Sequence, residues 1–213
     1  MQLTYLLYNG IEPIDLGAIG VMSMGRRIVP QLSYRTVAAT RAPVELSNGL
    51  RVLPDAAFEE VADIDVLMVP GGPGWRDAAK DPLTLNFIRR WAPTAMLSSL
   101  CTGAMILAAA NALDGLVATT KCVVVPPETS PMDELKKTYP GISTTHALLV
   151  DNGRVVTGGG VALCIDTTLY LIGLRYGSDA ADEVARIMEY GPARAANSSR
   201  LPLIAGEALA DFH

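Results

Sequence analysis

Apolar residues in this chain fall in short continuous runs, and stretches with helical spacing follow almost every run. The first run covers residues 3–8 and ends at Gly10. Pro13 then suits the first turn of a helix carrying Ile14, Leu16, Ile19, Val21 and Met22, with Asp15 near its start. Residues 32–40 alternate with β-branched side chains, and Ser47-Asn48-Gly49, between Val44-Glu45-Leu46 and Leu50-Arg51-Val52, predicts a β-hairpin. The run Ile64–Val69 stops at Pro70-Gly71-Gly72-Pro73-Gly74, and Asp81-Pro82 opens a helix to about Trp91. Beyond it the pattern predicts a strand over 95–100, an alanine-rich helix over 102–113 and another helix over 132–139. Residues 147–150 pair with 154–157 across Asp151-Asn152-Gly153, and helices near 162–175 and 179–189 follow. From Pro192 the chain turns to Ala, Asn and Ser, so 1–191 reads as one α/β domain and 192–213 as an irregular tail. In that tail Leu201, Leu203 and Ile204 are expected to pack on this subunit or on a partner.

Strands that are apolar throughout, alternating with helices, imply a mainly parallel sheet with helices on both faces and a small β-hairpin insertion. Ligands of such sheets bind outside the carboxyl ends of the strands. Asp15, Gly72 and Cys101 each follow the end of a different strand, so the fold can gather them at one rim. A length of 213 residues suits a single domain of this kind. Half the residues are hydrophobic, yet no run reaches the roughly 18 apolar residues needed to cross a bilayer. The opening Met1–Leu7 lacks the basic region and cleavage site of a signal peptide, so the cytoplasm is the expected compartment. A net charge of −5 without a Lys/Arg cluster gives no footprint for nucleic acid. Cys101, Cys122 and Cys164 are odd in number and lack C-x-x-C spacing, which argues against a disulfide framework and a zinc site. The expected partner is a small molecule, with no metal or organic cofactor.

Leu97-Ser98-Ser99-Leu100-Cys101-Thr102-Gly103 carries the chemistry. A residue pinched between a strand end and a helix start has its side chain pushed out of the turn, while the helix N-terminus aims N–H groups at it. The same partial charge favours thiolate, so the elbow predicts a thiol lowered into the range of ~3.5–7.5. The competing reading of Cys101 is a small buried hydrophobe.

A thiolate attacking an unsaturated carbon also needs a group that moves protons. The chain has two histidines, His146 beside a predicted strand and the terminal His213, and Cys101 is followed by Thr102. A cysteine–histidine hydrolase is therefore disfavoured. Asp15, at the first strand-helix junction, is the better proton carrier; its alternative role is a helix cap, and Glu12 competes with it. Gly71-Gly72-Pro73-Gly74 lacks the Walker Lys-Ser/Thr, so close backbone approach to Cys101 explains it better than phosphate binding. Gly158-Gly159-Gly160 reads as tight packing, Asp166 as a structural hydrogen-bond acceptor, Lys121 as a solvated side chain and Cys122 as a packed strand cysteine.

By these residues the chain resembles the ThiJ/PfpI superfamily, most closely its isocyanide (isonitrile) hydratase-like branch. The segments that carry the resemblance are Gly10-Ile11-Glu12-Pro13-Ile14-Asp15-Leu16, Val69-Pro70-Gly71-Gly72, Ser99-Leu100-Cys101-Thr102-Gly103, Leu113-Asp114-Gly115 with Ala118-Thr119-Thr120, and Thr157-Gly158-Gly159-Gly160 with Ile165-Asp166. The resemblance implies a flavodoxin-like, class I glutamine amidotransferase-like fold and a homodimer. It makes Cys101 the nucleophile and Asp15 its acidic partner, with the backbone N–H groups of Gly72 and Thr102 as the anion-stabilising pocket. Hydratase-like members carry Asp where many others carry Glu, which favours addition of water to a small electrophile, isocyanide to N-formamide first. Those members continue Ala-Thr-Thr with His-Trp, whereas this chain has Lys121-Cys122, which leaves the substrate open. The alternatives are a glyoxalase acting on 2-oxoaldehydes and a sensor module like that of AraC-type transcription regulators. The absence of a helix-turn-helix extension before residue 213 counts against the sensor.

Overall fold

Each turn from strand to helix in this chain is set by a local signal, and the sheet follows from them. The computed structural model describes residues 1–212, so His213 lies outside the described residues. The first apolar run forms β1 (Gln2–Leu6), and a 3₁₀ turn over Pro13–Leu16 leads into α1 (Gly17–Gly25). Next come β2 (Ser33–Ala38), the short pair β3 (Val44–Glu45) and β4 (Arg51–Val52), and β5 (Ala56–Ala57). The second apolar run forms β6 (Val66–Val69), followed by α2 (Trp75–Ala78) and α3 (Pro82–Trp91). Asp81 caps α3 by accepting from the N–H groups of Leu83 and Thr84, and Pro82 occupies a first-turn position where no N–H is needed.

β7 (Met96–Ser99) ends just before Cys101, and α4 (Gly103–Ala109) begins two residues after it. Then follow β8 (Val117–Ala118), α5 (Pro131–Thr138) capped by the Ser130 side chain, β9 (Ser143–Thr144), β10 (Leu149–Asp151) and β11 (Val155–Gly158). The chain closes through α6 (Cys164–Tyr176), α7 (Ser178–Ile187), α8 (Gly191–Arg200) and β12 (Leu203–Ala205).

Eight strands make one sheet in the order β12-β10-β11-β7-β6-β1-β2-β5. The six from β11 to β5 are parallel, whereas β10 runs antiparallel to β11 and carries β12 parallel to itself. α1, α6 and α7 pack together, and α2, α3 and α5 pack around α4. With helices on both faces, strand residues of either orientation are dry: all four residues of β6 are buried. This is the mainly parallel, doubly covered sheet that the alternation predicts and the flavodoxin-like architecture that the resemblance implies, and the hairpin is β3 against β4, with Val44 opposite Val52. Neighbouring strands β1, β6 and β7 bring residues 10–15, 70–74 and 100–103 to the same rim.

The tail departs from expectation. Instead of an irregular segment, residues 191–200 are helical and 203–205 add an edge strand to the sheet. α8 buries no residue of its own, so no apolar periodicity announces it. Side-chain hydrogen bonds over long range tie it down: Tyr190 Oη (2.7 Å) and Asn197 Nδ2 (2.9 Å) both donate to Asp166 Oδ2. Asp166 is thus the structural acceptor its sequence context suggests. Ile204 is buried beside Val117, Ala147 and Val150, whereas Leu203 remains about half exposed.

Candidate active site

The β7-to-α4 turn is as sharp as the sequence implies. Cys101 takes a left-handed backbone, φ 51°, which costs a residue with a Cβ about 1–2 kcal/mol and persists only where the surroundings over-determine it. Three neighbours do so. The Cys101 N–H donates to the Gly159 carbonyl (3.1 Å), Leu100 N–H donates to the Val69 carbonyl (3.0 Å), and the Thr120 hydroxyl donates to the Cys101 carbonyl (2.8 Å). Small residues let the strands converge: a Cβ on Gly103 would lie 2.0 Å from the Val69 oxygen, and one on Gly71 would lie 2.8 Å from Cys101 Cβ. A Cβ on Gly158 would meet Thr167 Oγ1 at 2.3 Å, so that residue of the triple-glycine segment serves packing, as expected.

Asp15 arrives from the end of β1. It is wholly buried, and its Oδ2 accepts the Gly71 N–H at 2.6 Å. That bond ties the end of β1 to the end of β6, so Asp15 is not a helix cap; it sits inside the 3₁₀ turn, whose cap position is Glu12. Its other oxygen, Oδ1, is buried without a hydrogen-bond partner. Burial pushes the Asp15 carboxyl up to about 7, opposed by the Gly71 N–H and reinforced by the charge of Glu12. Tyr5 and Tyr8 lie within reach of its field, and the Tyr8 hydroxyl is held by the Pro70 carbonyl at 2.8 Å.

Cys101 itself corrects the expectation of a lowered thiol. Its burial, and then the neighbouring Asp15 charge, push it up to about 12. The Thr102 N–H and hydroxyl and the Lys121 ammonium pull the other way but do not prevail. The helix that follows is only seven residues long, and desolvation of the sulfur is larger than anything its N-terminus supplies. Charge on the sulfur is therefore coupled to charge on Asp15, and the two groups titrate as a pair.

Thr102 and Gly72 also meet differently from the expected pocket. The Gly72 N–H, turned by a φ of 136°, donates to Thr102 Oγ1 at 2.9 Å. A buried amide takes the nearest acceptor, so this donor reaches an anion only by exchange with the Thr102 hydroxyl. The Thr102 groups act on the sulfur directly.

A cavity of about 370 Å³ opens over the elbow, lined among others by Glu12, Trp75, Arg76, Cys101, Thr102 and Lys121. Asp15 is not in its wall, whereas Glu12 is. Lys121 is another correction: its side chain is only 26% exposed and forms part of the cavity wall. Cys122 lies in an irregular segment, not a strand, half-buried with its Sγ donating to the Thr120 carbonyl at 3.1 Å. Cys164 is buried against the Ile14 carbonyl, its thiol also pushed up to about 12 by burial. His146 is exposed. Among the described residues no cluster of His, Cys, Asp and Glu is suited to a metal, and no helix is long and apolar enough to cross a membrane. Sequence reasoning missed Thr120 and the cavity face of Lys121; the Ala118-Thr119-Thr120 segment was the available signal for both.

Comparison with known proteins now decides the family, because the pattern of the DJ-1/PfpI family matches residues 18–173. The chain belongs to the DJ-1/PfpI family. Gly72, Cys101 and Thr102 fall inside the matched region and Asp15 just before it. The chain is 33% identical over 195 residues to the isonitrile hydratase of Pseudomonas putida, covering 91% of this chain and 80% of that one. It is also 30% identical over 194 residues to the HTH-type transcriptional regulator CdhR of Pseudomonas aeruginosa, of which it spans 55%. Among solved structures, a ThiJ/PfpI family protein from Pseudomonas syringae superposes with a TM-score of 0.75 at 29% identity, covering 90% of this chain and 75% of that one. DJ-1/PfpI members similar to this chain thus include an enzyme and regulators.

Proposed function

We propose that the chain is a cofactor-independent hydratase that adds water to a small electrophile through Cys101, with isocyanide to N-formamide as its reaction. The observation that carries this reading is the geometry of the rim: a strained elbow cysteine lines the cavity, and a wholly buried carboxyl with one unpartnered oxygen lies near enough for its charge to raise the thiol. Likeness to an isonitrile hydratase over 91% of the chain supports the choice of electrophile.

In this reaction the proton passes from Cys101 to Asp15 as sulfur bonds to the terminal isocyanide carbon. Asp15 returns that proton to the same carbon, giving an S-bound thioimidate. Water then adds to this carbon, one of its protons going to the nitrogen and the other back to the Cys101–Asp15 pair; the C–S bond breaks and the sulfur leaves with its electron pair, releasing R–NH–CHO. The sum is one isocyanide and one water to one formamide. The buried Asp15 serves the sulfur and the carbon bound to it. The water comes from the cavity side, where Glu12 faces it.

A second reading, ligand sensing without turnover, is favoured by the regulators among the relatives, whose length this chain spans by about half. Incubating the purified protein with an isocyanide and, separately, with methylglyoxal tests all readings. Formamide without lactate supports the hydratase, lactate alone supports a glyoxalase, and saturable binding with neither product supports a sensor.

A further inference from the structure

Two cations and two carboxylates face the cavity, and they differ in how far they are already committed. Arg76 gives two hydrogen bonds to Glu134 (2.5 and 2.7 Å), and its guanidinium lies 4.3 Å over the Trp75 ring. Its charge is spent in that bidentate pair. Glu12 engages the Ser47 hydroxyl at 3.4 Å. Lys121 and Glu128 meet only at 3.6 Å, beyond hydrogen-bond length, and the Glu128 side chain is 58% exposed. A pair so loose and so wet contributes little and exchanges readily.

Lys121 is nevertheless not free to wander. The Thr120 hydroxyl is fastened to the Cys101 carbonyl at 2.8 Å and the Thr119 N–H to Thr157 Oγ1 at 3.0 Å, so the residue that follows is delivered to the nucleophile. Its stem is largely covered in the cavity wall, and its ammonium favours charge on the Cys101 sulfur. The cavity thus presents a positioned, loosely paired cation next to the reacting sulfur.

We propose that Lys121 selects small electrophiles that carry a carboxylate, gripping that group in place of Glu128 while Cys101 attacks the electrophilic carbon. The inference rests on Cys101 being the nucleophile of the proposed hydration. It narrows the substrate class to isocyanides bearing a carboxylate. Lys121 acts as a specificity residue: a charge-assisted hydrogen bond to the substrate replaces a longer, solvated one.

Iodoacetate and iodoacetamide test it without any turnover, because they alkylate the same thiolate and differ in charge. The ratio of their rates at Cys101, read by peptide mapping, cancels changes in thiolate population. Lys121→Met should lower the iodoacetate-to-iodoacetamide ratio by about tenfold or more, and Lys121→Arg should keep it within about threefold of the original. Lys121→Gln provides a second neutral variant should Lys121→Met fail to fold, with melting curves reported for each. A ratio unmoved in the neutral variants overturns the proposal, as does a Cys101 inert to both reagents. In parallel, kcat/KM for isocyanoacetate should exceed that for its ethyl ester, and Lys121→Met should erase the preference. If neither isocyanide is hydrated, the hydratase reading fails, while the alkylation ratio still decides the role of Lys121.

Discussion

Asp15 and Cys101 are costly residues to bury together: burial raises both, and the charge on Asp15 adds to the rise at Cys101. Below about pH 7 the pair holds two protons, and above it one, which is the state that can place the charge on sulfur and the proton on Asp15. Activity should therefore rise with pH up to about 7 and level off above it. Asp15→Asn should remove that limb and lower the rate by ~10²–10⁴-fold, and Cys101→Ser should be inactive. A pH–rate profile on folded variants checks this; an Asp15→Asn enzyme with the original profile would show that the carboxyl only braces Gly71. The fate of the other thiols belongs at this scale too. Cys122 and Cys164 lack the elbow, so labelling near neutral pH should favour Cys101 despite its high thiol value, because the electrophile enters through the cavity it lines.

At the scale of elements, the site is a convergence of three strand ends, and Gly72 is one of its tight points. A Cβ there would lie 2.2 Å from Glu12 N and 2.4 Å from the Gly10 oxygen, on a backbone that side chains rarely adopt. Gly72→Ala should cost at least ~1–3 kcal/mol and misplace the Thr102 hydroxyl, which denaturant melts and the hydration assay read separately. Much of this convergence was legible beforehand. Continuous apolar runs with no polar alternation gave the parallel strands, and Asp81-Pro82 gave a helix start that the side chain of Asp81 does cap. What was not legible has physical causes. α8 has no apolar face, and its anchor Asp166 lies more than twenty residues upstream of Tyr190 and Asn197. The two-residue strands β5, β8 and β9 are defined by their partners and not by any pattern of their own. The upward shift of the Cys101 thiol is not legible locally, because desolvation is a property of the assembled rim, whereas the helix N-terminus is visible in the local sequence.

For the molecule as a whole, two buried carboxyls bias stability against alkaline conditions. Burial pushes Asp15 from 3.8 to about 7 and moves Asp166 in the same direction. Between these limits the folded protein binds more protons than the unfolded chain, so stability is greatest below the unfolded value and falls as pH rises through the folded one. Above about pH 7 the penalty at Asp15 is complete, on the order of 4 kcal/mol at most. Denaturant melts at pH 5 and pH 8 should show wild type losing roughly 2–3 kcal/mol more than Asp15→Asn across that interval. Equal losses would mean that Asp15 is ionised at pH 5 in the folded state and is not held protonated by its burial.

The most direct test of the account is the covalent step itself. Acid quenching during turnover of an isocyanide, followed by intact mass and peptide mapping, should find a mass gain of one isocyanide on the peptide containing Cys101. Cys101→Ser should show no gain. Formamide production with no such adduct at any quench time and undiminished in Cys101→Ser, or an adduct on Cys122 or Cys164 instead, would contradict it.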